Sequence, residues 1–211
     1  MPIDILTTPF TFERLDDIYI VGTGPSGLPF HEDIPMERCI GVNKIICGDN
    51  IIPRYWLCSA PALLKEDWFR ELTPRLIKFH VKLPFCSPIF LHGPLTEAYP
   101  DVPYFFKSGP SLWGTNDPPG CLPGYLRSGA GVVGRAIQLA YWKKAKRVIL
   151  VGVDMKGRGY FDGTKNKTKQ SIMPDGTWTE LPHMNRLIKW CKQHGMDVVS
   201  LSETLLDVER I

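Results

Sequence analysis

The chain has 211 residues, 44% hydrophobic and 22% charged, which is the balance of one ordinary globular domain. A chain this long buries roughly 70% of its unfolded surface, so neither a metal nor a disulfide staple is required. The net charge of +3 is too mild to imply nucleic-acid binding, and no apolar stretch approaches the ~20 residues of a membrane span.

The first ten residues, MPIDILTTPF, carry neither the basic region nor the apolar run of a signal peptide. The expectation is a cytoplasmic protein, or at most one lying on the inner face of a membrane. Cys39, Cys47, Cys58, Cys86, Cys121 and Cys191 form no Cys-x-x-Cys pair and no zinc-like spacing with a histidine. Reduced structural thiols and no metal site are expected.

In chain order, IYIVG (18–22) reads as a first buried strand, RCIGVN (38–43) as a second and YWLCSA (55–60) as a third. A helix is predicted around ALLKEDWFREL (62–72) and a fourth strand at LIKFHV (76–81). PIFLHG (88–93) and PYFFKSG (103–109) are shorter apolar pieces among prolines and glycines, left unassigned. SGAGVVGRAIQLAYWKKA (128–145) reads as a helix opened by Arg127 and Ser128, with lysines in its last turn. RVILVGVD (147–154) is the continuous apolar run of a central parallel strand, ending at Asp154. HMNRLIKWCKQHG (183–195) is an amphipathic helix closed by Gly195, and MDVVSLS (196–202) is the last strand. Strand and helix in alternation predict an α/β fold: a Rossmann-like, open, mostly parallel sheet flanked by helices, in one nucleotide-binding domain over 1–211.

Ligands of such sheets sit beyond the carboxyl ends of the strands. That rule selects Gly22, Thr23, Gly24, Pro25 and Ser26 after the first strand, Asn43 after the second, and Cys58 and Ser59 after the third. It also selects Arg127 and Ser128 at the helix start, and Asp154. The turn Gly22-Thr23-Gly24-Pro25-Ser26-Gly27 breaks an apolar run abruptly, which suits backbone N–H groups turned toward a phosphate or nucleotide. It has the three glycines of a dinucleotide fingerprint. However, a proline follows the second, no strong helix comes next, and Asn43 stands where a ribose-binding acid belongs. A nicotinamide enzyme is the weaker reading. No P-loop pattern and no D-x-D motif is present, which points to a metal-independent mechanism if the protein is a transferase.

Residues 155–182 are expected to form a flexible lid. Between Lys156 and Gln170, the cations Lys156, Arg158, Lys165, Lys167 and Lys169 face only Asp162, among glycines, and such a loop suits a phosphate-bearing substrate. His183 follows where the loop meets a helix.

VGTGPS, the strand ending GVN, RSGAGVVGRAIQLAYWKKAKRVILVGVDM and the lid ending at His183 resemble the bacterial CMP-sialic-acid-dependent sialyltransferases of glycosyltransferase family 42. They also resemble the wider superfamily containing the enzymes that diphosphorylate 6-hydroxymethylpterin. The resemblance covers the first two strands and Arg127 to about Ser202. It implies an inverting transfer from a CMP-activated sugar, without a cofactor, to a glycan or small-molecule acceptor. It also implies that the Gly22–Ser26 turn and Asn43 hold phosphate and ribose, and that Ser128 and Gly129 contact the cytidine or its phosphate. Arg127 would lie near the reacting centre, Tyr160 would bond the departing phosphate, and His183 would be the general base. Asp154 and Ser59 complete the nucleotide set. The chain departs from the family pattern at Thr23, at Cys58 and Ser59, and at Lys156, which stands where the family has a second lid tyrosine and could neutralise a phosphate. Two alternatives remain open: a pterin-type pyrophosphokinase using Mg-ATP, with Asp154 as its carboxylate, and a catalytically silent nucleotide-binding module. No nucleic-acid partner and no integral membrane segment are expected, and homo-oligomerisation is left open.

Overall fold

The computed structural model describes residues 3–4, 17–47, 53–59, 64–71, 89–92, 97, 104–106, 108–109, 125–157, 159, 163 and 172–211. Its strands are β1 (Ile3–Asp4), β2 (Asp17–Val21), β3 (Cys39–Val42), β4 (Tyr55–Cys58), β5 (Ile89–His92), β6 (Tyr104–Phe106), β7 (Ser108–Gly109), β8 (Leu126–Arg127), β9 (Arg147–Val151), β10 (Asp197–Ser200) and β11 (Glu209–Arg210). Nine of them form one open sheet in the order β1-β6-β5-β4-β3-β2-β9-β10-β11, and every described pairing is parallel. β7 and β8 make a separate parallel pair. Two helices, α1 (Gly131–Trp142) and α2 (Leu181–Gln193), pack together on the sheet.

Side chains of successive strand residues point to opposite faces, and the core divides accordingly. Ile18, Ile20, Ile40, Val42, Tyr55, Leu57, Val148 and Leu150 pack beneath α1 and α2 with Ile137, Leu139, Leu187 and Ile188. Val21, Cys39, Trp56, Cys58 and Val151 turn to the other face and meet Ile34, Ile45 and Phe69. β3 and β4 are buried at every position, which is why they read as unbroken apolar runs. Each such aliphatic side chain contributes about 1.5–3 kcal/mol by leaving water.

Several boundaries differ from the sequence reading. Arg127 does not open α1; it ends β8. Its N–H donates to Gln138 Oε1 at 2.7 Å, and Gln138 Nε2 donates to the Arg127 carbonyl at 3.1 Å. Gly129 (φ 97°) and Gly131 (φ 61°) then carry the backbone through the left-handed region, so the helix begins three residues after Ser128, with Ala130 at the N-cap. The lysines lie past the last turn of α1: Lys143 caps it, and Lys144 follows with φ 61°. β9 stops at Val151, because Gly152 (φ 64°) turns the chain, so Asp154 stands three residues beyond the strand. The predicted helix at 62–72 is helical over 67–71, and the predicted strand at 76–81 lies outside the described residues. The two unassigned apolar pieces supply β5 and β6, and β11 had no counterpart in the reading. α2 closes before Gly195 (φ 84°), as its pattern indicated. Cys39, Cys58 and Cys191 are buried free thiols, and burial pushes the Cys39 thiol up.

Among the described residues no helix is long and apolar enough to cross a membrane. No cluster of three His, Cys, Asp or Glu side chains there could hold a metal.

Candidate functional site

From β2 the chain steps outward through β3, β4, β5 and β6, then returns to β9 on the other side of β2 and continues to β10 and β11. The segments after β2 and β9 therefore leave the sheet in opposite directions, which is the topological switch point where α/β sheets hold ligands. β2 and β9 run side by side from Asp17↔Arg147 to Val21↔Val151, so Gly22 and Gly152 meet at the carboxyl edge.

The turn after β2 is packed directly on that meeting point. Gly22 N–H donates to the Val151 carbonyl at 2.8 Å, and Gly24 N–H donates to the Gly152 carbonyl at 2.7 Å. A Cβ on Gly24 would stand 2.7 Å from the Gly152 oxygen, and one on Gly27 would stand 2.8 Å from Gly152 Cα. Gly27 N–H donates to the Gly24 carbonyl at 3.2 Å. Ser26 N–H donates to Asp154 Oδ2 at 3.3 Å, while Ser26 Oγ–H donates to Asp154 Oδ1 and lies 3.1 Å from the Glu203 carbonyl. The amides of Gly22, Gly24, Ser26 and Gly27 thus meet acceptors inside the chain. These glycines are needed for close backbone approach to β9 rather than for presenting N–H groups to the rim.

The segment after β10 closes the other wall. Gly152 N–H donates to Ser202 Oγ at 2.8 Å, Thr204 Oγ1–H to the Val153 carbonyl at 2.6 Å, and Leu205 N–H to the Asp154 carbonyl at 3.2 Å. Between the two walls lies a cavity of about 390 Å³. Of the predicted site it gathers Pro25, Ser26, Asp154 and Lys156, and it adds Ser202, Glu203, Thr204 and Arg210. A second cavity, of about 330 Å³, shares Lys156 and is bounded by Ile172, Asp175 and Thr177. There the lid's described ends are joined by antiparallel bridges, Lys156↔Thr177 and Ile172↔Trp178. Hydrogen bonds from Thr177, side chain first and then backbone, hold the Asp175 carboxyl below its usual range.

The remaining predicted residues that the structure describes line neither cavity. Asn43 follows β3 with φ 47°, a conformation asparagine tolerates, and its carbonyl accepts Trp56 Nε1–H at 2.7 Å. Ser59 is buried after β4, and Arg127 is buried at the end of β8. Ser128 and Gly129 lie half-buried ahead of α1, and Thr23 is half-buried in the glycine turn. His183 sits half-buried in the first turn of α2. Tyr160 lies outside the described residues, as does most of the 158–171 part of the lid.

The residues missed were Ser202, Glu203, Thr204 and Arg210. The first three had a usable signal: Ser202 ends a predicted strand and Glu203 and Thr204 follow it, and the rule applied to the other strands applies equally there. Arg210 had none, because a two-residue parallel strand carries no readable pattern.

No protein-family model matches the sequence, and no curated protein matches it. Among solved structures, the sialyltransferase CstII from Campylobacter jejuni in complex with a substrate analogue, cytidine-5'-monophosphate, is similar in fold. The identity is 11%, over 90% of this chain and 81% of that one, with a TM-score of 0.50. A single-residue variant of the sialyltransferase in complex with CMP aligns at 12% identity over 89% and 82% of the two chains, TM-score 0.48. The enzyme in complex with a trisaccharide acceptor and CMP aligns at 14% over 88% and 81%, TM-score 0.46. What is shared is the open, mostly parallel α/β sheet flanked by helices.

Proposed function

We propose that the cavity at the switch point holds the nucleotide of an activated sugar. On this reading the protein is a metal-independent, inverting glycosyltransferase of the sialyltransferase kind, with a CMP-sugar as donor and a glycan or small-molecule acceptor. The observation that carries it is the roughly 390 Å³ cavity itself, at the carboxyl ends of β2, β9 and β10, with Lys156 and Arg210 in its wall beside hydroxyls. A monophosphate leaving group needs positive charge where its own charge grows, and this wall carries two cations. The shared fold with a CMP-bound sialyltransferase supports the choice of nucleotide.

In such a transfer the acceptor hydroxyl attacks the anomeric carbon, the bond to the phosphate oxygen breaks, and CMP departs. The acceptor's proton goes to a base, and His183 takes that role by the family resemblance. Trp178 N–H donates to the Met155 carbonyl at 3.2 Å, so the chain returns to the rim five residues before His183, although His183 itself lines neither cavity. Such a base is worth about 10²–10⁴ in rate. Tyr160 would donate to the departing phosphate. Arg127, 1% exposed, would act as a positioning residue for Ser128 and Gly129 rather than by touching the sugar.

Calorimetric titration with CMP, CDP, ATP and GDP, with and without Mg²⁺, tests this reading. CMP binding indifferent to Mg²⁺ supports it, and His183→Ala should then reduce transfer by at least about 10²-fold while leaving CMP affinity unchanged. ATP binding that requires Mg²⁺ would replace it with a pyrophosphokinase, in which Asp154 and Glu203 supply the carboxylates. A protein that binds none of the four is no nucleotide enzyme.

A further inference from the structure

Resting on that nucleotide reading, we infer that the phosphate of the bound ligand is held by Lys156 and Arg210, on the C-terminal side of the cavity, and not by the glycine turn after β2. Most of the turn is already satisfied, Thr23 being the one residue from Gly22 to Gly27, proline aside, whose N–H has no acceptor among the described residues. Its amides at Gly22, Gly24 and Gly27 donate to backbone carbonyls. Where an anion would dock on the turn at Ser26, the chain supplies its own: the Asp154 carboxylate takes both the Ser26 N–H and the Ser26 hydroxyl. A phosphate brought to that point would meet a like charge at contact distance.

The other hydroxyls of the cavity are also engaged. Thr204 donates to the Val153 carbonyl, and Ser202 Oγ, fully buried, accepts the Gly152 N–H. Lys156 and Arg210 remain, and neither has an ion-pair partner among the described residues. Arg210 is aimed by its strand. β11 pairs with β10 at Ser200↔Arg210, and Ile211 N–H is tied to the Ser200 carbonyl at 3.0 Å. Val208, just ahead of β11, and Arg210 both line the cavity. Lys156 is anchored by its bridge to Thr177. Glu203 and Arg210 are both exposed, so water and salt screen the carboxylate and the guanidinium alike, while Lys156 is half-buried. Arg210 offers a planar fork suited to two phosphate oxygens, and Lys156 a point charge. Asp154, an acceptor, then faces the uncharged hydroxyls of the ribose.

The test titrates CMP, cytidine and inorganic pyrophosphate into the unaltered protein and into Arg210→Gln, Arg210→Lys, Lys156→Gln and Lys189→Gln. The last removes an exposed cation of α2 away from the cavity, and thermal unfolding verifies that each variant is folded. The expected result is CMP and pyrophosphate affinity reduced about tenfold in each Gln variant of the cavity. Arg210→Lys should lie in between, with cytidine unaffected and Lys189→Gln unchanged. Unchanged CMP and pyrophosphate affinity in Arg210→Gln and Lys156→Gln overturns the inference and leaves the nucleotide reading standing. So does equal affinity for CMP and cytidine. Pyrophosphate binding that depends on both cations in a protein that ignores CMP removes the nucleotide reading and keeps the anion site. An unaltered protein that binds neither phosphate-bearing probe overturns both.

Discussion

Gly24 and Gly131 belong to turns that look alike in sequence, Gly-Thr-Gly-Pro-Ser-Gly after β2 and Ser-Gly-Ala-Gly before α1. Gly24 has an unremarkable backbone, φ −71°, but a Cβ there would stand 2.7 Å from the Gly152 oxygen and strike the Asp154 carboxylate. Gly131 has ample room, its nearest neighbour being Glu180 Cγ at 3.9 Å, but φ is +61°. One glycine is required by what lies beside it and the other by its own torsion angle. The first kind of requirement is tertiary, since the crowding atoms come from residues about 130 positions along the chain. The second is local.

Three substitutions put the contrast to work. Gly24→Ala should be the most damaging, costing about 3 kcal/mol in denaturant unfolding, because backbone and carboxylate cannot both move aside. Were the turn held open for a nucleotide instead, the same change would spare stability and lower nucleotide affinity. Gln138→Leu should cost about 2 kcal/mol: it strips the acceptor from the buried Arg127 N–H and the donor from two carbonyls, Arg127 and Gly134. That clip is what holds the second turn back from the helix, so α1 should also gain helical signal at its start. Gly131→Ala should cost only about 1 kcal/mol, the price of a left-handed alanine in open space. A loss as large as that of Gly24→Ala would erase the distinction between the two turns.

The same division explains which parts of the site were readable. Asp154, Ser26 and Lys156 come together at one rim; the strand-end rule selects the first two because β2 and β9 are strong apolar runs, and Lys156 is selected by the basic lid. What the Ser26 turn does there was not readable, since it depends on Asp154 arriving from 128 residues away to occupy its N–H and hydroxyl. Arg127 was misplaced for a related reason. Its surroundings look like a helix start until Gln138, eleven residues later, takes its amide into a strand-like position.

The sequence by itself determined the alternation of elements, the parallel α/β sheet and the edge on which polar residues gather. These follow from apolar periodicity and from glycines and prolines acting on their immediate neighbours. The tertiary structure alone decided that β9 inserts beside β2 and creates the switch point. It alone decided that the glycine turn is spent on β9, and that the segment from Ser202 to Arg210 folds back to wall the cavity. Each of those outcomes depends on backbone groups meeting across more than fifty residues or through a two-residue strand, and no local pattern of side chains encodes such a meeting.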